Sequence, residues 1–394
     1  MAGNTSNAMT NASPVVGGGD GYDRYIEPER ADTIVDSRAA LLAALDTASA
    51  NTIVYIADDA EIDLTGEANI PLQEGVTLAS GRGRDGSDGG LVYTDASPRW
   101  FIRSRADSVR VTGLRLRGPR TDYFDPREEF DEKEEAYSCG LHLFGDTAEV
   151  DNCELFGWPH AAIAFGAREY ATEGYAHHNA IHHNRMETLG YGIELYDGYS
   201  RIEHTYFDAN RHAVTGFGYA TNGYEAQYNL IGPNPISHAF DMHRLSENIS
   251  CDDPLLAGKA LSIHHNTFAY TEDTLDRPQE AVDIRGIPEE RSVIDWNWFA
   301  HEREPTGARG EAVRQGIDDP FQRVDVGPNN QYGPTIPDDP TVGCPRTEGP
   351  NVEKTDSTST SESKSDRSAT SNSALDAGGI LDMIATVAKT LRRL

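Results

Sequence analysis

Residues from about 50 to 300 predict an all-β fold, a right-handed parallel β-helix, on three observations. Two sets of short apolar segments alternate strictly along the chain. Variable polar loops separate them, and asparagines recur at one position of the second set.

The first set reads GLHLFG (140–145), AIAFG (162–166), GIELYDG (192–198), AVTGFG (213–218), AFDMH (239–243) and AVDIRG (281–286). Period-2 alternation turns Leu141, Ile163, Ile193, Val214, Phe240 and Val282 inward. The second set reads VDNCELF (150–156), IHHNRM (181–186), IEHTYF (202–207), AQYNLI (226–231), IHHNTF (263–268) and IDWNWF (294–299), with VRVTGLRL (109–116) as an earlier member. Short strands recurring once per coil are what a solenoid requires, and the two-residue hairpin turns of an antiparallel sandwich are scarce. Asn184, Asn229, Asn266 and Asn297 fall at equivalent positions, with Cys153 and Thr205 there in other rungs. Stacked at a bend, such side chains hydrogen-bond one another and the turn backbone, which burial would otherwise orphan.

Ahead of the rungs, Ser37 to Ala50 predicts a short amphipathic helix with Leu41, Leu42 and Leu45 on one face. Such a helix caps the first coil and protects its open edge. Residues 1–30 are a flexible lead-in by composition, and residues 31–350 are the β-helix domain. Residues 351–374 form a hydrophilic Ser/Thr-rich linker, and 375–394 an amphipathic helix with Ile380, Ile384, Val387, Ala388 and Leu391 on one face. That helix suits docking to a partner or capping of the domain.

The formal charge of −30 comes from 64 acidic against 34 basic residues, the basic ones mostly arginine. An acidic surface that avoids lysine resembles the high-salt adaptation of halophilic archaea. It also argues against nucleic acid as a partner, since phosphates would meet a negative surface. Cys139, Cys153, Cys251 and Cys344 lack CxxC spacing, so no zinc knuckle is indicated, and a Cys251–Cys344 disulfide is a candidate tie. There is neither a signal-peptide pattern nor a run of about 20 apolar residues to span a membrane.

Aligning the first strand set stacks its outward positions. One column reads His142, Ala164, Glu194, Thr215, Asp241, Asp283, and the next reads Phe144, Gly166, Tyr196, Phe217, His243, Arg285. Tyr191, His212, His238 and Glu280 mark the strand entrances, with Arg211 beside His212. Carboxylates, imidazoles, arginines and aromatic rings on one face suit a glycan. Asp241 and Asp283, one rung or roughly 5 Å apart, must share a proton, bind a cation such as Ca²⁺, or pair with Arg285 and His243. Glu194 lies two rungs from Asp241, roughly 10 Å, a little beyond an inverting glycosidase pair. His183, His204 and His265 share a column beside the asparagines. They read as packed, hydrogen-bonded side chains in preference to a transition-metal site.

At SIHHNTF (262–268), followed by Arg277-Pro278 or IRGIPEER (284–291) and then DWNWF, the sequence resembles the right-handed β-helix superfamily of pectate lyases and related polysaccharide lyases (the pectin lyase fold). The resemblance spans roughly 35–300 for the fold and about forty residues for the motif. It implies an arginine base, Arg285 with Arg277 and Arg291 as rivals, and aspartates that bind Ca²⁺. Two residues separate Arg285 from Pro288 where the lyase motif usually has one, and the calcium-site aspartate cluster is not recognisable.

The expectation is a lyase cleaving an acidic polysaccharide by β-elimination. Arg285, His243 and Glu194 are its catalytic candidates, Tyr196, Arg211, His212 and His238 bind substrate, and Asp241 and Asp283 hold the metal. A glycoside hydrolase on the same face is a variant. The alternative is a non-catalytic glycan-binding, adhesive or spike-like protein, for which analogy implies a homotrimer. On either reading an extracellular or cell-surface setting is expected.

Overall fold

The computed structural model describes residues 15–120, 137–168, 170–185, 188–275 and 278–346. Arg277, the linker 351–374 and the segment 375–394 lie outside the described residues.

The chain is a right-handed parallel β-helix. Among the described residues its strands run in three all-parallel sheets of eleven, ten and eight, each visited in sequence order. Rungs therefore stack at about 4.8 Å, and any outward side chain sits above its counterpart in the previous coil.

The first strand set forms the eight-stranded sheet, in the expected register. Leu141 pairs with Ile163, then Ile193, Val214, Phe240 and Val282, each fully buried, with Ile102 and Val313 extending the column. Burying each such side chain contributes about 1.5–3 kcal/mol, so this apolar column fixes the register.

The second set differs in an instructive way. Each of its segments, IHHNRM apart, is two strands rather than one, beginning in the eleven-stranded sheet and ending in the ten-stranded one, as in Leu261–His264 and Thr267–Phe268. A residue in left-handed conformation makes the corner: Asn152, His178, His204, Tyr228, His265 and Trp296 all have φ between 49° and 60°. The next residue points inward. Asn229 N–H donates to Asn266 Oδ1, Asn266 N–H to Asn297, and Asn297 N–H to Asn330.

Asn184 does not belong to that ladder. Asn179 takes its place, accepting from Cys153 N–H and donating its own N–H to Thr205 Oγ1. Asn184 stands one corner later, accepting from Trp158 N–H and donating to Asn210. The histidine column shifts with it. His178, His204, Tyr228, His265 and Trp296 form a half-buried stack outside the corner, with centroids 4.7–5.8 Å apart, and His183 is not a member.

The helix is Arg38–Thr47, burying Leu41 and Leu45. Residues 15–26, read from composition as part of a flexible lead-in, lie along the ladder corner. Gly17 N–H donates to His204 O, and Tyr22 Oη donates to Asp151. Gly18 has φ +67°, and a Cβ there would meet the His178 carbonyl oxygen at 2.1 Å. All four cysteines are free, so the Cys251–Cys344 disulfide does not form: Cys344 is buried beside Thr267, and the Cys251 thiol donates to Asp253 O. Among the described residues no helix is long and apolar enough to cross a membrane.

Candidate functional site

The outward columns of the eight-stranded sheet meet at its C-terminal half. Asp241 pairs in register with Thr215 and Asp283, and Asp283 with Arg314. Turned from the core by strand alternation, these side chains stand in one line, and backbone hydrogen bonds from His243 and Arg285 keep the next column aligned.

Asp241 is the hub, and it is 0% exposed. Arg285 donates from Nε to Oδ1 at 3.0 Å and from Nη2 to Oδ2 at 2.7 Å. Around the same carboxylate lie His243 Nε2 at 3.1 Å, His238 Nε2 at 3.4 Å and His212 Nε2 at 3.6 Å, and Thr215 Oγ1 donates at 3.3 Å. Burial alone would raise the Asp241 pKa. The neighbouring His238, His243 and Arg285 outweigh it and hold the carboxyl well below its usual range.

The other titrations follow from that hub. Burial opposes a charged His243, but the nearby Asp241 and Glu247 carboxylates raise its pKa to about 9. Burial likewise opposes the Arg285 charge, and Asp241, Asp283 and Glu247 push its pKa up instead, so this guanidinium stays charged. His212 is driven well below the ordinary histidine value by burial, then by His238 and Arg211. Its Nδ1 donates to His238 O at 2.7 Å, which leaves a buried Nε2 lone pair without a partner.

An open cleft of about 340 Å³ lies beside the hub, walled by His238, Glu280 and Asp283. Among the described residues five arginines line it, Arg211, Arg244, Arg285, Arg309 and Arg314, on a chain of net charge −30. Arg314 grips both oxygens of Asp283, at 2.8 and 3.1 Å. Arg244 donates from Nε and Nη2 to the carbonyls of Arg285 and Gly316. Arg211, like Arg244, forms no ion pair among the described residues; its guanidinium reaches Tyr191, with Oη at 3.5 Å. Burial lowers its pKa, and the attraction of Tyr191 and Asp241 offsets only part of that.

The sheet thus brings Asp241, Asp283, His212, His238, His243, Arg211 and Arg285 together, and leaves Glu194 and Tyr196 apart. Glu194 is buried two rungs toward the N-terminus, with His160 Nε2 at 3.1 Å, and Tyr196 stacks on Phe217. Arg291 is on another face, paired with Asp325. Arg314, Arg244 and Glu247 escape the sequence reading. Val313–Gln315 is one more strand of the first set, which would have revealed Arg314; Glu247 follows His243 by four residues in the turn Leu245–Asn248.

Calcium does not suit Asp241 and Asp283. It takes six to eight oxygen ligands, whereas both carboxylates here are gripped by guanidinium groups. His212, His238 and Asp241 do place three ligand-type atoms within 4.8 Å of one another. Two cations, Arg285 and the raised-pKa His243, already sit at that carboxylate.

Fold and cleft define a parallel β-helix protein with a buried carboxylate–imidazole–guanidinium cluster under an arginine-lined cleft. No family model matches the chain, and no curated protein is significantly similar to it.

Proposed function

We propose that the chain is a polysaccharide-active protein that cleaves an acidic glycan by β-elimination, with arginines of the cleft neutralising the uronate carboxylate. Arg211 carries this reading. A largely desolvated guanidinium with no carboxylate partner, facing a cleft of four further arginines, is matched by an anionic ligand. In molar salt the Debye length is about 3 Å, so the acidic surface repels little at range and direct contacts decide binding.

The roles follow from proton affinity. Arg285 is too firmly charged to serve as a base, so with Arg211 it neutralises the uronate and acidifies the C5–H. His238, whose ring lines the cleft, takes that proton. The C5 electron pair forms the C4=C5 double bond, and the C4–O4 bond breaks with its electrons leaving on O4. The departing O4 takes its proton from water in the open cleft, because His243 is not among the cleft-lining residues and its two ring nitrogens face Asp241 and Glu247. Asp241 is a positioning residue, fixing Arg285 and the imidazoles at once.

The second reading is a non-catalytic glycan-binding or spike-like module, favoured by how fully Asp241 is satisfied within the protein. Mass analysis of glycan fragments separates the alternatives. Elimination leaves ends lighter by one water than hydrolysis does, and a binding module leaves the polymer intact. Intact polymer across uronate, sulfated and neutral glycans would overturn the enzymatic reading.

A further inference from the structure

The outward columns of the eight-stranded sheet extend well beyond the hub. Register leads from Asp241 back through Thr215, Glu194, Ala164 and His142 to Arg103, five rungs or roughly 24 Å away. Arg105 stands two positions beyond Arg103, as Arg285 stands two beyond Asp283, so both columns carry arginine near both ends. Between the arginines the second column presents Phe144, Tyr196 and Phe217. The carboxylates of the two columns, Glu194, Asp241 and Asp283, are all buried. On a chain of net charge −30, neither column turns a carboxylate to solvent.

Aromatic rings hold the two far arginines in place. Trp100, His142 and Phe144 stack in turn, with centroids 4.1 and 4.7 Å apart. Arg103 lies 4.9 Å from the Phe144 centroid and 5.8 Å from that of Trp100, and Arg105 lies 5.6 Å from Phe144 and 4.6 Å from Tyr170. A ring attracts the face of a guanidinium and leaves its N–H edge for an anion. Arg103 donates from Nε to His142 Nδ1, and Arg105 from Nη2 to Tyr170 Oη. Burial pushes the His142 pKa down to about 4, so that ring is neutral and accepts the bond. Both arginines are exposed, and among the described residues neither forms an ion pair.

We infer that this strip is a binding track for a linear acidic polysaccharide, with Arg103 and Arg105 forming a second anion station roughly 24 Å from the cleft. The inference rests on the reading of the cleft as an acidic-glycan site and adds the length of the ligand. Two stations so separated favour one polymer over two short ligands, because the second contact is made within a complex already formed. Tyr196 and Phe217, half-buried with ring centroids 5.4 Å apart, give the sugar C–H groups an apolar path between the stations. Columns cleared of exposed carboxylates suit a chain that carries a charge on every residue.

Calorimetric titration of the full chain in molar salt tests it against the full chain carrying Arg103→Gln and Arg105→Gln. Both proteins also carry His238→Ala, so that the ligand stays whole. The two arginines are exposed, and equal melting temperatures will show that their loss leaves the fold intact. The ligands are two oligouronates, one short enough to fill the cleft alone and one longer than the roughly 24 Å span. The parent should bind the longer at least about tenfold more tightly, and the variant should bind both alike, at the short ligand's affinity. Equal affinity for both lengths in the parent, or a length gain that survives in the variant, would overturn the proposal. So would tighter binding of single-stranded DNA of the same length, which would assign the station to nucleic acid. If the length gain is present and the chain with His238 leaves polymer uncut, elimination fails and the track stands. Cleavage without a length gain does the reverse.

Discussion

Arg285 holds both carboxylate oxygens of Asp241 across one rung of the solenoid, and Asp241 is the more deeply buried partner. The pair is possible because parallel strands put residues 241 and 283 in register, so that Arg285, two positions further on, projects back over Asp241.

Breaking this pair strands a buried cation. Asp241→Asn is expected to destabilise the fold by about 3 kcal/mol, the low end for a broken buried ion pair, because Arg285 and His243 keep some solvent contact. It should also cut turnover by at least about a hundredfold by misplacing the cleft groups. Denaturant midpoints and initial rates on the same preparations measure both effects. A variant with normal stability and normal rate would remove Asp241 from the account.

His243 makes stability depend on pH with a definite sign. Its folded pKa, about 9, lies above the unfolded value of about 6.5, so the stabilisation is complete below about pH 6.5 and is lost as pH rises through about 9. Urea midpoints should therefore fall across that window, and His243→Gln should flatten the fall. An identical pH profile in the variant would contradict the assignment.

Arg211 is expected to matter for ligand and not for fold. Replacing it with Met removes a desolvated charge that has no carboxylate partner, so the melting temperature should hold or rise. Affinity for a polyuronate should weaken about ten- to a hundredfold, the worth of one charge-assisted contact. Calorimetric titration reads the affinity, and unaltered binding would place the anion site elsewhere.

The two asparagine ladders should act separately. Asn266→Ala leaves Asn229 N–H and Ala226 O without their partner, and Asn184→Ala does the same to Trp158 N–H. Each is expected to cost about 2 kcal/mol. Because they occupy different corners, the double variant should be additive within about 0.5 kcal/mol. A larger coupling would mean one shared network.

Most of the site's address was legible in the sequence. The alternation of Ile193 with Glu194 and of Phe240 with Asp241 sets both inward and outward columns, so the neighbourhood of Asp241, Asp283, His243 and Arg285 follows from aligning six segments. The corners were harder. HHN occurs at 177–179 and again at 182–184, five residues apart, and local pattern cannot say which asparagine joins Asn266; the rung count decides for Asn179. A left-handed His265 or Trp296 has no periodic signature, so each pair of strands read as one. Which arginine serves which carboxylate is equally invisible in one dimension. Arg314 on Asp283 and Arg211 with no carboxylate at all emerge only once the loops are placed.

The central claim is that the arginine-lined cleft itself, without calcium, drives elimination. The most direct test is the rate of absorbance increase in the unsaturated-uronate band, in molar salt, over a panel of acidic polysaccharides. Wild type should be compared with and without chelator, alongside His238→Ala. The account predicts a rise on at least one polyuronate that survives the chelator and is lost in the variant. A rise abolished by chelator, or no rise on any substrate, would contradict it.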